Sequence, residues 1–569
     1  MIGRGGLQDR LAPFLAAAAA FLAFYPALGN DFVHWDDYSN FVENPRLGRL
    51  GLAEVRWMLS TFQLAHWQPL SWLSLGLDSL IWGQRPFGFH LTNLLLHCAN
   101  AALVVLLIRE VLGRGDRDPG PWPAAAGALF FALHPLRVEA VAWATQRREV
   151  LSAFFCLWTV LLYLKGRLRA ALGCYLLALA AKVTVIGLPA ALLTLDLYPL
   201  GRLPPGKEAF SREFFPVWTE KIPFALAALV FALIGLAAQS ASPALVPLEQ
   251  YGPLERLAQA FFSLAFYPAK SLVPEGLSPW YGESYRLAHP GFAAAGFALA
   301  AGLVPALWAA ARTRSAPLAA AAFYFFMLFP TMGLVKSGRQ IVGDRYSYLP
   351  CLPLAVAVAW AVSRLGRRAV LPVLGLAAFL GWRTSVQCGV WSDNLSLWGR
   401  ALEIEPDSSF AQANMGLALL REDRPAAAAE YFERQLETLP KGPQRTFLQY
   451  VSALAHNNLG LERAAQGESA AAEREFRKAL KFNPDLSRTH DNLALTLYRS
   501  GRAAEALPHF EAAVALEPGA PELRVNLGIA LAKLGRRKRA EDSFREALRL
   551  DPAHEGARRA LGTLAPARK

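Results

Sequence analysis

Cysteine is scarce in this chain, with five in 569 residues (Cys98, Cys156, Cys174, Cys351 and Cys388), each alone in or beside an apolar segment. None forms a CxxC pair or a metal-ligand spacing, so they read as packing residues and no metal site is expected. Charge is thin as well, at 18% of residues against 54% hydrophobic and a mean hydropathy of +0.25. That balance is too apolar for an ordinary soluble enzyme. No single soluble face collects the basic excess of +13. Before residue 387 there are 32 basic against 21 acidic residues, and after it 26 against 24. The excess is scattered between hydrophobic runs, as loop charges that set topology are, and a nucleic-acid partner is excluded.

Long apolar runs are confined to the first two thirds: Leu11–Gly29, Leu91–Ile108, Leu151–Leu164, Pro223–Ala238, Pro290–Ala311 and Val370–Gly381. They predict an all-α, polytopic membrane domain over 1–386 with about 10–11 spans. The N-terminal apolar run follows MIGRGGLQDR without a convincing small-residue cleavage site and is read as a retained first span. Basic clusters at Arg4/Arg10, Arg109–Arg117, Lys165–Arg169, Arg202–Arg212, Arg312/Arg314 and Arg364–Arg368 are assigned to the cytoplasmic side. The segments 30–89, 134–148, 240–290 and 336–346 then lie outside. Leu254–Val273 is long enough to cross, but a crossing would reverse the later loops. Its Glu255, Arg256, Gln259 and Lys270 fit an interfacial or re-entrant helix instead.

From 387 to 569 the pattern changes. Pro484, Pro518 and Pro552 recur every 34 residues, as do Asn458, Asn492 and Asn526, which is the period of a tetratricopeptide repeat (TPR). Small residues keep the same phase at Ala494/Ala506/Ala513 and Gly528/Ala540/Ala547. The expected units are a half repeat at 391–406, repeats 407–440, 441–484, 485–518 and 519–552, and a capping helix 553–569. Ten extra residues between Pro440 and Pro484 are expected to lengthen a connection near Lys441–Tyr450. Stacked helix pairs form a solenoid whose groove binds a partner and does no chemistry.

The membrane part carries the candidate chemistry. Asp36 and Asp37 follow the first span, and paired carboxylates at a low-dielectric boundary suit general-base work; a solvated loop or helix cap is the plainer reading. His90, Asn93, His97 and Asn100 form one polar stripe on an apolar helix, read either as interhelical hydrogen bonding or as a substrate contact. His134, Arg137, Glu139, Arg147, Arg148 and Glu149 crowd one segment between spans. They could bind a lipid-linked phosphate with the glutamates orienting the guanidinium groups, or form a structural ion-pair network. Lys182, Lys336, Arg339, Asp344, Arg345 and Tyr346 add to the same face.

The ordered set WDD, HWQPLSWLSLGLD, FGFHLTNLLLHCANA, LHPLRVEAVAW with RREVLS, and GDRYSYLP, followed by TPRs, resembles the TMTC family. That family comprises transmembrane and TPR-containing protein O-mannosyltransferases with a GT-C type membrane fold, and the resemblance runs over nearly the whole chain. It implies transfer of a mannose-like sugar from a polyprenyl- or dolichyl-phosphate donor to a hydroxyl of a protein or glycan on the extracytoplasmic face. By motif position it implies Asp36 or Asp37 as the catalytic carboxylate. His134, Glu139 and Arg147 match the HP-x-x-E segment and the arginine after it, and Asp344, Arg345 and Tyr346 the DRY segment. Arg147-Arg148-Glu149 stands where animal members tend to have Arg-Ala-Asp, and the Ala-, Leu- and Arg-rich composition implies a bacterial relative. Its TPR domain would then be periplasmic and its donor polyprenyl-based.

Both lines lead to one expected mechanism. Asp36 or Asp37 takes the acceptor proton while the Arg/Lys set stabilises the departing lipid phosphate, with no obligatory cofactor or metal. The expected partners are the bilayer, the polyprenyl-phosphate sugar, and a polypeptide at the TPR groove. The alternative is a non-enzymatic membrane-anchored TPR scaffold, which would have no need for ionisable residues gathered on one side of the bilayer. A transporter ranks last, since no inverted repeat is visible.

Overall fold

The computed structural model describes residues 7–564 except 115–118, 205, 243, 311–314, 440 and 441. Arg4, Arg117, Arg312, Arg314, Pro440 and Lys441 therefore lie outside the described residues. Every regular element among those described is helical, and the chain divides into two compact units, Met1–Ser408 and Ser409–Lys569. This division lies beyond residue 386 because 391–406 packs within the first unit. Trp391 stacks there on Trp35 and Trp398 packs tilted against it, at ring-centroid distances of 6.4 and 5.4 Å.

In the first unit, Leu7–Gly29, Pro86–Gly113, Ile222–Ser240 and Leu352–Trp391 are long and apolar enough to cross a bilayer. A fifth candidate is the pair Pro121–Ala132 and Pro135–Ala142, bent by 57°. Leu168–Ala181, Val183–Leu197, Pro290–Gly302 and Ala316–Thr331 are apolar but shorter. Against the expected 10–11 spans, four or five helices among the described residues meet the length and composition of a span, accompanied by shorter apolar helices. The physical reason is where polar groups interrupt them: Arg147–Leu164 opens on three charged residues, and Leu168–Ala181 stops at Lys182. On Ile222–Ser240, Leu226, Leu229, Val230 and Leu233 are 52–58% exposed. A helix so apolar on its outer surface is stable facing lipid, where its backbone bonds are satisfied internally. The chain is an integral membrane protein.

Pro253–Leu272 is a 20-residue helix that buries Gln259, Phe262, Ser263 and Phe266 while Leu254, Leu257 and Leu272 stay exposed. It lies tightly on Pro290–Ala310: a Cβ at Gly296 would meet the Phe261 carbonyl oxygen at 1.7 Å. Only glycine permits that approach.

The second unit is a ladder of antiparallel helix pairs: Ser409–Arg421 with Pro425–Thr438, Pro443–Ala465 with Ser469–Phe482, Ser487–Arg499 with Ala503–Leu516, and Pro521–Lys533 with Arg537–Leu550. Glu555–Leu564 closes it. Pro484, Pro518 and Pro552 each fall two residues past a helix end, where the missing N–H blocks continuation. The ten extra residues do not lengthen a connection. They extend the helix Pro443–Ala465 to 23 residues against 13 in its counterparts. Leu448 and Val451 bury that added turn, so the insertion keeps helical periodicity and the helix absorbs it. Gly416, Gly460 and Gly528 face Phe432, Phe476 and Phe544, one pair per repeat.

Candidate functional site

Pro135 breaks the helix after Ala132, and the chain re-enters the unit as a short helix Val138–Ala142 before Arg147–Leu164 begins. All residues from Ala132 to Ala153 are buried. This broken element carries Glu139 and Arg147–Glu149 inward, where the first loop, Lys182 and Asp344–Tyr346 meet it.

The adjacent aspartates have different environments. Asp37 is fully buried, and its Oδ1 accepts from the Thr145 backbone N–H at 2.9 Å and the Thr145 hydroxyl at 2.5 Å. Its Oδ2 accepts from the Val33 N–H at 3.1 Å. Burial, against these bonds, pushes the Asp37 carboxyl up to about 7. Asp36 keeps 22% of its side chain accessible and faces the Arg148 guanidinium at 3.6 Å. Burial raises its carboxyl too, while the Arg148 and Arg345 charges pull it down. Trp35, just before it, stacks on Trp143 at 4.7 Å and fixes the loop. Asp37 is engaged by three hydrogen bonds, whereas Asp36 has the looser contact with Arg148 and is the more accessible of the two.

Arg148 and Arg345 act on Asp36, and Lys182 lies within electrostatic reach of both; the three cations differ in how firmly they are paired. Lys182 pairs with Glu149 and Arg345 with Glu139, and the Arg345 backbone N–H also donates to Glu139 at 2.8 Å. Arg345 further donates to the Tyr346 hydroxyl at 2.9 Å. Arg148 has the loosest ties, namely the 3.6 Å contact with Asp36 and a 3.5 Å contact to Gln146. Asp344 accepts from the Tyr281 hydroxyl at 3.0 Å, and burial together with the Glu139 charge drives its carboxyl well above the carboxylate range. An anion entering this recess meets three positive groups, only one of them not tightly paired.

Other expected site residues hold the fold. Arg147 is completely buried and donates to Asn93 (2.6 Å), Ser74 (2.7 Å), Asp78 (2.5 Å) and the Phe89 carbonyl (2.9 Å). Asn93 donates to the Val141 and Trp143 carbonyls, and His97 bridges the Tyr348 hydroxyl and the Ala132 carbonyl. His90 is buried on the same stripe. Asn93, His97 and Asn100 thus serve interhelical hydrogen bonding, the first of the two readings above. His134 bonds the Ser271 carbonyl and the Leu136 N–H. Arg137 is buried, donating to the Ser347 hydroxyl at 2.9 Å beneath the Phe131 and Tyr348 rings. Arg339 is exposed. Among the described residues no group of three or more His, Cys, Asp or Glu is placed to hold a metal.

Sequence reasoning missed two residues. Asp78 is the carboxylate partner of Arg147. His66 lies within electrostatic reach of Arg148, Lys182 and Arg345. It follows Leu64 (φ 51°) and Ala65 (φ 62°), two consecutive left-handed residues that are not glycine, each costing roughly 1–2 kcal/mol. Strain of that kind concentrates at functional sites. HWQPLSW was visible as a motif, but its histidine carried no spacing that marked it.

A tetratricopeptide-repeat family profile matches residues 492–555. Among characterised proteins, the chain is 34% identical over 167 residues to Protein O-mannosyl-transferase tmtc2 of Xenopus laevis, covering 27% of this chain and 19% of that protein. It is 41% identical over 100 residues to Protein O-mannosyl-transferase Tmtc2 of Drosophila melanogaster, covering 17% and 10%. The matched stretch therefore spans a fifth or less of these relatives' length. Among solved structures, the crystal structure of MamA is 20% identical, with 28% of this chain and 86% of that chain covered and a TM-score of 0.23. The expectation of a bacterial source gains no support from these animal relatives.

Proposed function

We propose that this relative of the TMTC-type protein O-mannosyl-transferases is a GT-C type membrane glycosyltransferase. It would move a mannose-like sugar from a polyprenyl- or dolichyl-phosphate donor to a hydroxyl of a polypeptide. The observation that carries this reading is the placing of the partly accessible Asp36 carboxylate opposite Arg148, with Arg345 in electrostatic range. Asp36 takes the proton from the acceptor hydroxyl as its oxygen attacks the anomeric carbon. The bond from that carbon to the phosphate oxygen breaks, and the lipid phosphate leaves with one more negative charge. Arg148, Lys182 and Arg345 stabilise that charge in a site low in water, where one well-placed donor supplies about 3–4 kcal/mol. No further cofactor is needed for this balance. A bound phosphate would also draw Arg148 from Asp36, leaving the carboxylate a stronger base.

Two further features fit. An apolar cavity of about 420 Å³, walled by Leu107, Leu195, Phe323, Leu352 and Trp360, has the character to take part of a prenyl chain. Its Leu352 wall continues the segment that carries Arg345 and Tyr346. The TPR unit would bind the acceptor polypeptide and raise its effective concentration. With the site read as facing the extracytoplasmic side, the TPR unit lies there too.

The test is to incubate the protein, in lipid, with radiolabelled polyprenyl-phosphate monosaccharides and a secreted acceptor polypeptide. Transfer from at least one donor supports the enzyme. No transfer from any donor, with the full chain still capturing a specific polypeptide, favours the scaffold.

A further inference from the structure

His66 is used by nothing described so far. Its segment is fastened on both sides. Upstream, the Gln63 side chain donates to the Ser39 carbonyl at 3.2 Å, tying the turn to the loop that carries Asp36. Downstream, the Ser71 hydroxyl donates to the Ala181 carbonyl at 2.9 Å, beside Lys182. Trp67 is held by its indole N–H on the Leu59 carbonyl at 2.9 Å and by the Phe231 ring at 5.3 Å. These anchors hold the left-handed turn at Leu64 and Ala65 and tie the segment carrying His66 to Ser39 on one side and Ala181 on the other, with the ring in electrostatic reach of Arg148, Lys182 and Arg345. His66 is half-buried, and among the described residues neither ring nitrogen has a hydrogen-bond partner. A histidine presented by a strained, doubly anchored turn with its ring nitrogens unengaged is set up to meet a ligand.

We propose that His66 is a further ligand of the donor's phosphate, donating a ring N–H to an oxygen of the group that Arg148, Lys182 and Arg345 surround. This rests on reading the recess as a glycosyl-phosphate site. Burial and those three cations hold the imidazole well below its usual pKa, so at neutral pH the ring carries one N–H and no charge. It therefore adds a directed hydrogen bond without adding to the repulsion among the cations. The bond shortens as charge grows on the departing phosphate, so His66 acts on both donor affinity and turnover.

The test uses the full chain in phosphatidylcholine nanodiscs, measuring binding of a short-chain prenyl monophosphate, the matching prenyl alcohol and inorganic phosphate, together with sugar transfer. A hydrogen bond to a charged group is worth about a tenfold change or more in affinity. His66→Phe, which keeps a ring but no donor, is expected to weaken prenyl monophosphate about tenfold, to leave the alcohol unchanged, and to raise KM for the donor. His66→Gln, which keeps an N–H, is expected to recover most of that loss even if the phenylalanine variant folds poorly. Weakening of inorganic phosphate by the same factor supports the contact as one to phosphate itself. If parent, His66→Phe and His66→Gln bind the monophosphate equally while the parent transfers sugar, His66 is not a ligand and the enzyme reading stands. If the parent neither binds the monophosphate nor transfers sugar, both fall.

Discussion

Thr145 holds Asp37 through two hydrogen bonds to one carboxylate oxygen, from its backbone N–H at 2.9 Å and its hydroxyl at 2.5 Å. Asn40 donates to the same hydroxyl at 3.0 Å. The first loop is thereby fixed to the broken helix, and the neighbouring Asp36 is set opposite Arg148. Replacing Asp37 by alanine leaves buried donors unsatisfied, at about 1–3 kcal/mol each. Asp37→Ala is expected to lower the unfolding temperature clearly, and Asp36→Ala to lower it less, since Asp36 makes one loose ion pair with Arg148. Thermal unfolding of the two variants in the same detergent compares them; equal losses would contradict the division of roles.

The same residue predicts a pH dependence. The Asp37 carboxyl is raised in the folded chain to about 7, from roughly 3.9 when unfolded. Between those values the folded state binds more protons, so Asp37's contribution to stability is full below about 4 and is lost as pH rises through about 7. Stability measured from pH 4 to 8 is expected to fall more steeply in the parent than in Asp37→Asn. Identical slopes would show that Asp37 does not titrate there.

Glu139 and Arg345 are a buried pair. Removing one partner strands the other charge, which typically costs about 3–5 kcal/mol. Glu139→Gln is expected to destabilise strongly, and the double variant Glu139→Gln/Arg345→Met less than the sum of its singles. A double-mutant cycle on unfolding temperature measures this coupling; additive losses would contradict it.

How much of this was legible depended on periodicity. The 34-residue phase of proline and asparagine located the helix pairs from Ser487 onward, because repeat stacking repeats its small and large residues. The insertion after Pro440 was visible as a length, but not as added helix, since Pro443 reads equally as a loop residue or as a helix start. Helix lengths were less legible than apolar runs, because such a run does not reveal where a helix breaks on buried polar residues such as Arg147 and Lys182. Charge in an apolar context exposed Arg148, Glu149 and Arg345. Which aspartate was spent on Thr145, and that Arg147 belonged to Asp78 across the fold, depends on pairings distant in sequence. No spacing rule contains them.

In the repeat unit, a Cβ at Gly528 would lie 2.5 Å from the Phe544 ring. Ala494 fills the matching place in the preceding repeat, in the core that also contains Phe510. Gly528→Ala is thus expected to shift stability by less than about 1 kcal/mol, because higher helix propensity offsets the tight contact. Gly528→Leu overpacks the pair and is expected to cost about 1–3 kcal/mol or more. Chemical unfolding followed by circular dichroism distinguishes them, and equal stability of the two variants would contradict this packing.

The central claim is that Asp36 is the base of a sugar transfer. It is tested most directly by single-turnover transfer of labelled sugar from a polyprenyl-phosphate donor to acceptor polypeptide, comparing the parent with Asp36→Asn at matched folding. The account predicts transfer by the parent and a loss of at least about a hundredfold in the variant, with donor still bound. Transfer by Asp36→Asn at the parental rate would contradict it.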